Sequence, residues 1–193
     1  MTMPTNEWTT SDGFQWVSRL LSYPGEDWAH TVAEMNAALP QDSQPMTAGI
    51  RRFLEAMAGF DVEQRQDHYV QVFDFGKKTN LYLTYADFGE ERERGPALLE
   101  FKKQYAQAGF DLNENELPDF LPAVLEFCAQ VDAETARRML LSHAGRLARL
   151  QEALAQFESP YAHLLQAAQE GVELMQTESK LVESKPELQE VAA

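Results

Sequence analysis

Residues 73–89 read FDFGKKTNLYLTYADFG, and the fold class turns on LYLTY at 81–85. By propensity alone this aromatic, Thr-containing run is a strand. An isolated strand leaves its backbone N–H and C=O groups unpaired, and no second run in the chain offers it an obvious partner. Context overrides propensity, so a helical or irregular segment is the better reading. The stretch also gathers Phe73, Phe75, Tyr82, Tyr85 and Phe88, with Asp74, Lys77 and Lys78 between them. A tyrosine can bury its ring and keep its hydroxyl wet, which suits the wall of a binding groove. Ordinary core packing is the equal alternative.

On either side of this stretch the periodicity is helical. Phe14, Val17 and Leu21 recur at steps of 3 and 4, with Ser11 or Asp12 placed to cap and Pro24-Gly25 to stop. Short helices follow through Trp28, Val32, Met35 and Leu39, and through Ile50, Phe53, Leu54 and Met57. Asp61 caps a fourth, on which Tyr69, Val72 and Phe73 share a face. Pro96 suits the first turn of a helix carrying Leu98, Phe101 and Tyr105, and Gly109 suits its stop. Leu121, Val124, Leu125 and Cys128 mark another. From Ala136 to Phe157 the apolar positions predict one long amphipathic helix with His143 in its seam. Ser159-Pro160 then starts a final helix through Tyr161, Leu164, Leu165, Ala168 and Val172. The expected fold is an all-α, single-domain helical bundle over 1–176, with 177–193 a polar, disordered tail.

The composition of 31 acidic residues against 16 basic, a net charge of −15, disfavours nucleic acid and anionic membranes as partners and favours basic ones. No run approaches the roughly 20 apolar residues of a spanning helix, and the N-terminus shows no secretory signal. The lone Cys128 closes no intrachain disulfide and supplies no multi-thiolate metal site; on its apolar face it reads as a small buried hydrophobe. These features point to a cytoplasmic protein without direct membrane insertion. Between Lys103 and Arg137 there is no base, but there are Asp111, Glu114, Glu116, Asp119, Glu126, Asp132 and Glu134. That segment is either a solvated face or a landing surface for a basic segment. Glu116, Asp119 and Glu126 lack a nearby His, so an acid–base or metal reading of them is disfavoured. His68 reads as a helix-edge residue, and His143 as a hydrogen-bonding residue within the bundle.

The order YVQVFDF (69–75), LYLTY (81–85), ERERGPALLEFKKQYAQAGF (91–110) and NELPDFLPAVLEF (115–127) resembles the NarJ-type respiratory nitrate reductase assembly chaperones, within the wider TorD-like group of all-helical chaperones for molybdoenzymes. The likeness is densest from Tyr69 to Phe127, and LLSYPGEDW (20–28) extends it loosely. It implies a non-enzymatic protein with no cofactor of its own. Such a protein binds the N-terminal segment of the nitrate reductase catalytic subunit, keeps that subunit competent for molybdenum-cofactor insertion, and times its membrane docking. Molybdenum-cofactor delivery proteins stay open as further partners. An amphipathic client segment in a groove is a standard recognition mode. The expected client contacts are the rings of Tyr69, Phe73, Tyr82 and Tyr85, with Asp74, Glu116 and Asp119 pairing with basic groups. TorD-like chaperones carry Glu, Pro and Asp followed by His; here Phe120 stands in that His position, so no pH-sensing role carries over. The rival readings are a chaperone for another exported molybdoenzyme, a helical adaptor for a folded partner, and an enzyme using the acidic loop.

Overall fold

The computed structural model describes residues 8–41, 44–76, 78–88, 92–111 and 116–183. Helix α1 (Thr10–Leu21) is capped by Thr9 rather than by Ser11 or Asp12. Asp12 is instead the third-residue partner of a capping box: Thr9 N–H donates to its carboxylate at 2.8 Å, and Asp12 N–H donates to the Thr9 hydroxyl at 3.2 Å. Phe14, Val17, Leu20 and Leu21 are buried along its inner face. Next come α2 (Trp28–Ala38), α3 (Pro45–Met57) and α4 (Val62–Tyr69), the last opened by an Asp61–Gln64 capping box. The chain continues beyond Tyr69 as a π-turn over Val70–Asp74, which the helical spacing did not anticipate. The Thr79 hydroxyl donates to the Val72 carbonyl that this wider turn exposes, and any Cβ at position 76 would strike that carbonyl and Thr79.

A four-residue helix, α5 (Tyr85–Phe88), is followed by α6 (Arg94–Gln107), with Gly109 at φ +80° as its stop. Then come α7 (Leu121–Gln130), α8 (Ala133–Ser142), α9 (Ala144–Gln156) and α10 (Tyr161–Glu183). The single helix expected over 136–157 is therefore two, broken at His143, whose ψ of 7° leaves the helical region. The bend stacks the His143 ring on Phe101, centroids 4.5 Å apart and planes at 9°. Helix α10 continues through Glu183, into the span expected as a tail, and residues 184–193 lie outside the described residues.

The architecture is all-helical. Helix α10 is its hub, packing on α1, α3, α8 and α9, while α1 is also covered by α7. The approach to α3 is close enough to require glycine: a Cβ on Gly49 would lie 2.9 Å from both the Ala167 Cβ and the His163 carbonyl. The only extended pairing among the described residues is one antiparallel bridge, Tyr82 with Phe120. Leu83 N–H donates to the Asp119 carbonyl and Leu121 N–H to the Leu81 carbonyl, each at 2.9 Å. The expectation that 81–85 lacks a partner is thus corrected. Residues 119–121 supply one, long enough for two hydrogen bonds and too short to read as a strand.

Candidate functional site

That bridge fixes the 81–85 segment in alternating fashion. Leu81 and Leu83 enter the core, and Tyr82 and Tyr85 are left half-buried. Asp119 sits beneath with no exposed surface. Its carboxylate accepts from the Thr84 backbone N–H at 2.9 Å, the Thr84 hydroxyl at 2.5 Å and the Arg94 guanidinium at 3.1 Å. Arg94 Nε in turn donates to the Thr84 hydroxyl at 2.9 Å. A buried carboxylate is costly unless paired and hydrogen-bonded, and here it is both. The same guanidinium lies 5.6 Å from the ring centroids of both Tyr82 and Tyr85, a cation–π distance for each. Tyr82 also packs on Phe120 at 5.2 Å, so Phe120 serves as an apolar ring support. At the far end of the segment, Asp87 accepts from Arg146 at 2.5 Å and Arg149 at 2.9 Å.

Tyr69 and Phe73 are 7% and 3% exposed and belong to a ring cluster around Tyr161. Phe73 stands 4.7 Å from Tyr161 and 4.8 Å from Tyr69, with Tyr23 at 5.3 Å from Tyr69 on the solvent side. Burial, then the nearby Asp74 and Tyr82, push the Tyr69 phenol well up. These neighbours place Asp74, Tyr69 and Tyr82 in one locality. Asp74 itself is exposed at the end of the π-turn, beside Phe75, which is 80% exposed. The structure therefore gathers Tyr69, Phe73, Asp74, Tyr82, Tyr85 and Asp119 around the 81–85 segment, three of them buried. Glu116 lies apart, exposed, lining a hollow with Tyr105, Phe110 and Phe127. Lys77 and Glu114 lie outside the described residues.

The sequence reading did not single out Arg94 or Thr84. The available signal was indirect: a buried Asp119 needs a base, and none lies in its own acidic segment. His143 is also more constrained than its helical position suggested. Its Nδ1 lies 2.9 Å from the Arg146 guanidinium, while its buried Nε2 meets no partner. Burial, reinforced by the charge of Arg146, lowers its pKa to about 4. His68 stacks on Tyr161, lies 3.1 Å from the Ser159 hydroxyl, and is lowered by burial. The described residues hold no group of three or more His, Cys, Asp or Glu arranged for a metal ion. None of their helices is long and apolar enough to cross a membrane.

A family model described as the nitrate reductase delta subunit matches residues 36–167. The chain is 40% identical over 163 residues to a nitrate reductase molybdenum cofactor assembly chaperone, NarJ, assigned in Bacillus subtilis, an alignment covering 82% of this chain and 89% of that one. It is 38% identical over 151 residues to the NarJ chaperone of Escherichia coli K12, covering 77% of this chain and 64% of that one. A crystal structure described as a redox enzyme maturation protein, from Archaeoglobus fulgidus, superposes with a TM-score of 0.64 at 19% identity, over 90% of this chain and 99% of that one; at that identity it bears on the fold alone. All-helical, with relatives named as chaperones rather than catalysts, the protein is of the assembly-chaperone class and not an enzyme. The chain belongs to the nitrate reductase delta subunit family, among the NarJ-type molybdenum cofactor assembly chaperones.

Proposed function

We propose that this chaperone acts in the cytoplasm on the N-terminal segment of the nitrate reductase catalytic subunit. It holds the subunit competent for molybdenum-cofactor insertion and delays its membrane docking until insertion is complete. The observation that carries the reading is the pair of half-buried rings, Tyr82 and Tyr85, stationed over Arg94 and the buried Asp119. A surface whose rings are already ordered spends little conformational entropy on binding. The apolar side of a client segment packs on Tyr82, Tyr85 and Phe75, and its basic groups pair with Asp74 and, further off, Glu116. Tyr69 and Phe73 support this surface from beneath, and Asp119 contributes by holding Arg94 rather than by meeting the client. Molybdenum-cofactor delivery proteins are further partners under the same proposal.

The test is calorimetric titration with a synthetic peptide from the N-terminus of the same organism's catalytic subunit, at two salt concentrations. A Tyr82→Ala/Tyr85→Ala variant, shown to be folded by circular dichroism, runs beside it. Saturable one-to-one binding that weakens with salt and is lost in the variant is the expected result. No binding by the intact protein at about 100 µM, or roughly −5.5 kcal/mol, would overturn the proposal.

A further inference from the structure

The segment 81–88 is fastened at two ends that differ in burial. Its start is held by the bridge to 119–121 and by the Thr84–Asp119–Arg94 cluster, in which the Arg94 and Asp119 side chains are 12% and 0% exposed. Its end is held by Asp87, bonded to Arg146 and Arg149; these three side chains are 33%, 21% and 59% exposed. The backbone bonds of α5 are local. The N–H groups of Tyr85, Asp87 and Phe88 donate to the Tyr82 and Thr84 carbonyls, at 3.0, 3.3 and 3.1 Å. A single turn has no stability of its own. Among the described residues, the ion pairs that tie this turn to the rest of the fold are the two at Asp87.

The two arginines are delivered by the break at His143. Arg146 stands in the first turn of α9 and Arg149 three residues on, so both project from one face of that helix. Arg146 is held from behind: its Nη1 lies 2.9 Å from His143 Nδ1, and the His143 ring stacks on Phe101. Phe101 follows Arg94 by seven residues, about two turns of α6, and so shares its face. One face of α6 thus carries the guanidinium that lies 5.6 Å from the Tyr85 ring centroid and the ring that backs the Asp87 ion pairs. Tyr85 and Asp87 are two residues apart in the same turn, so a rotation that moves the carboxylate also turns the ring.

We infer that Asp87, Arg146 and Arg149 are positioning residues for Tyr85: they form a clasp that fixes the rotation of α5 and so holds the Tyr85 ring against Arg94. The buried cluster keeps residues 81–84 in place whether or not the clasp is made, so breaking the clasp frees α5 alone. Partial exposure suits such a part, because a water-screened pair breaks without unfolding what lies beneath it. That the ring's orientation governs client affinity rests on the function proposed above; that the clasp sets the orientation does not.

Two measurements on the full chain separate these claims. The first is ¹⁹F NMR of the chain labelled with 3-fluorotyrosine, the signals of Tyr85 and Tyr161 being identified by their loss in Tyr85→Phe and Tyr161→Phe. Asp87→Asn and Arg146→Gln/Arg149→Gln should each shift or broaden the Tyr85 signal, while that of Tyr161, buried in the core, stays in place. An unmoved Tyr85 signal in both variants, or an equal change at Tyr161, overturns the inference. The second is calorimetry of the client peptide on the same two variants, with folding checked by circular dichroism. Each should raise Kd about 3- to 10-fold. A purely electrostatic effect on a basic client would instead lower Kd in the arginine variant, and that result overturns the positioning role. In a Tyr85→Ala chain, Asp87→Asn should raise Kd no further. If the client binds but neither variant weakens it, the clasp has no part in binding and the proposed function stands. If the client does not bind while the Tyr85 signal still moves, the function falls and the clasp stands.

Discussion

Replacing Arg94 by Met tests whether the buried ion pair organises the 81–85 segment. The side chains of Arg94 and Asp119 are 12% and 0% exposed, so the pair is largely screened from water. Removing one partner of a buried pair costs about 3–5 kcal/mol, because the other charge is left uncompensated. Asp119 would keep its two bonds from Thr84, at 2.9 and 2.5 Å, which places Arg94→Met near the lower end, at about 3 kcal/mol. For a chain of this length that corresponds to a Tm lower by roughly 6–12 °C. The assay is a double-mutant cycle in urea, followed by circular dichroism, with Asp119→Asn as the second substitution. The double variant should cost less than the sum of the singles by about 1–3 kcal/mol. A loss below about 0.5 kcal/mol for Arg94→Met, or strict additivity, would refute the argument that these groups act as one unit.

His143 gives a pH dependence with a definite sign. Its pKa of about 4 in the folded chain lies below the unfolded value near 6.5, so the unfolded chain binds more protons between those limits. Its contribution is therefore complete above about pH 6.5 and is lost as pH falls toward 4. The stability of the wild type relative to His143→Leu should fall by roughly 2 kcal/mol from pH 7 to pH 4, discounted for partial exposure; a difference independent of pH in urea titrations would contradict this. Phe75→Ala removes a ring that is 80% exposed. Its Tm should move by no more than about 2 °C, while client-peptide Kd rises about 5-fold; the reverse pattern would make Phe75 a folding residue. Tyr161→Phe deletes a buried hydroxyl with no partner and should leave stability unchanged or raise it by up to about 1 kcal/mol. A clear destabilisation in urea would mean that the hydroxyl is satisfied.

The helices were legible because their apolar residues repeat at steps of 3 and 4, and the bundle follows from burying those faces. The break at His143 was not legible, since the steps continue through it; only the ring of Phe101, distant in sequence, rewards the bend. The π-turn is equally silent. It adds a residue to one turn, and Phe73 and Phe75 end as 3% and 80% exposed. Aromatic composition located the surface but could not sort its rings into core and wall. The partner of 81–85 escaped notice because two hydrogen bonds from residues 119–121 leave no alternating pattern. Asp119 read as an acidic contact for a basic group of the client, yet it has no exposed surface. Nothing in its neighbouring residues announces Arg94, which arrives from the start of another helix.

The central placement of α10 has a consequence for how the chain comes off the ribosome. Helix α1 rests on α7 and α10, and α3 on α10, so the first half of the nascent chain has few lasting companions of its own. Phe14 and Phe53, both without exposed surface in the finished protein, gain their contacts with Gly171 and Tyr161 only once the segment from Tyr161 to Met175 has been translated. Such long-separation pairings slow folding even when every element is helical, and unsatisfied apolar surface invites aggregation meanwhile. A protein that tends another during its assembly thus begins its own life with a comparable interval of exposure, ended when α10 docks.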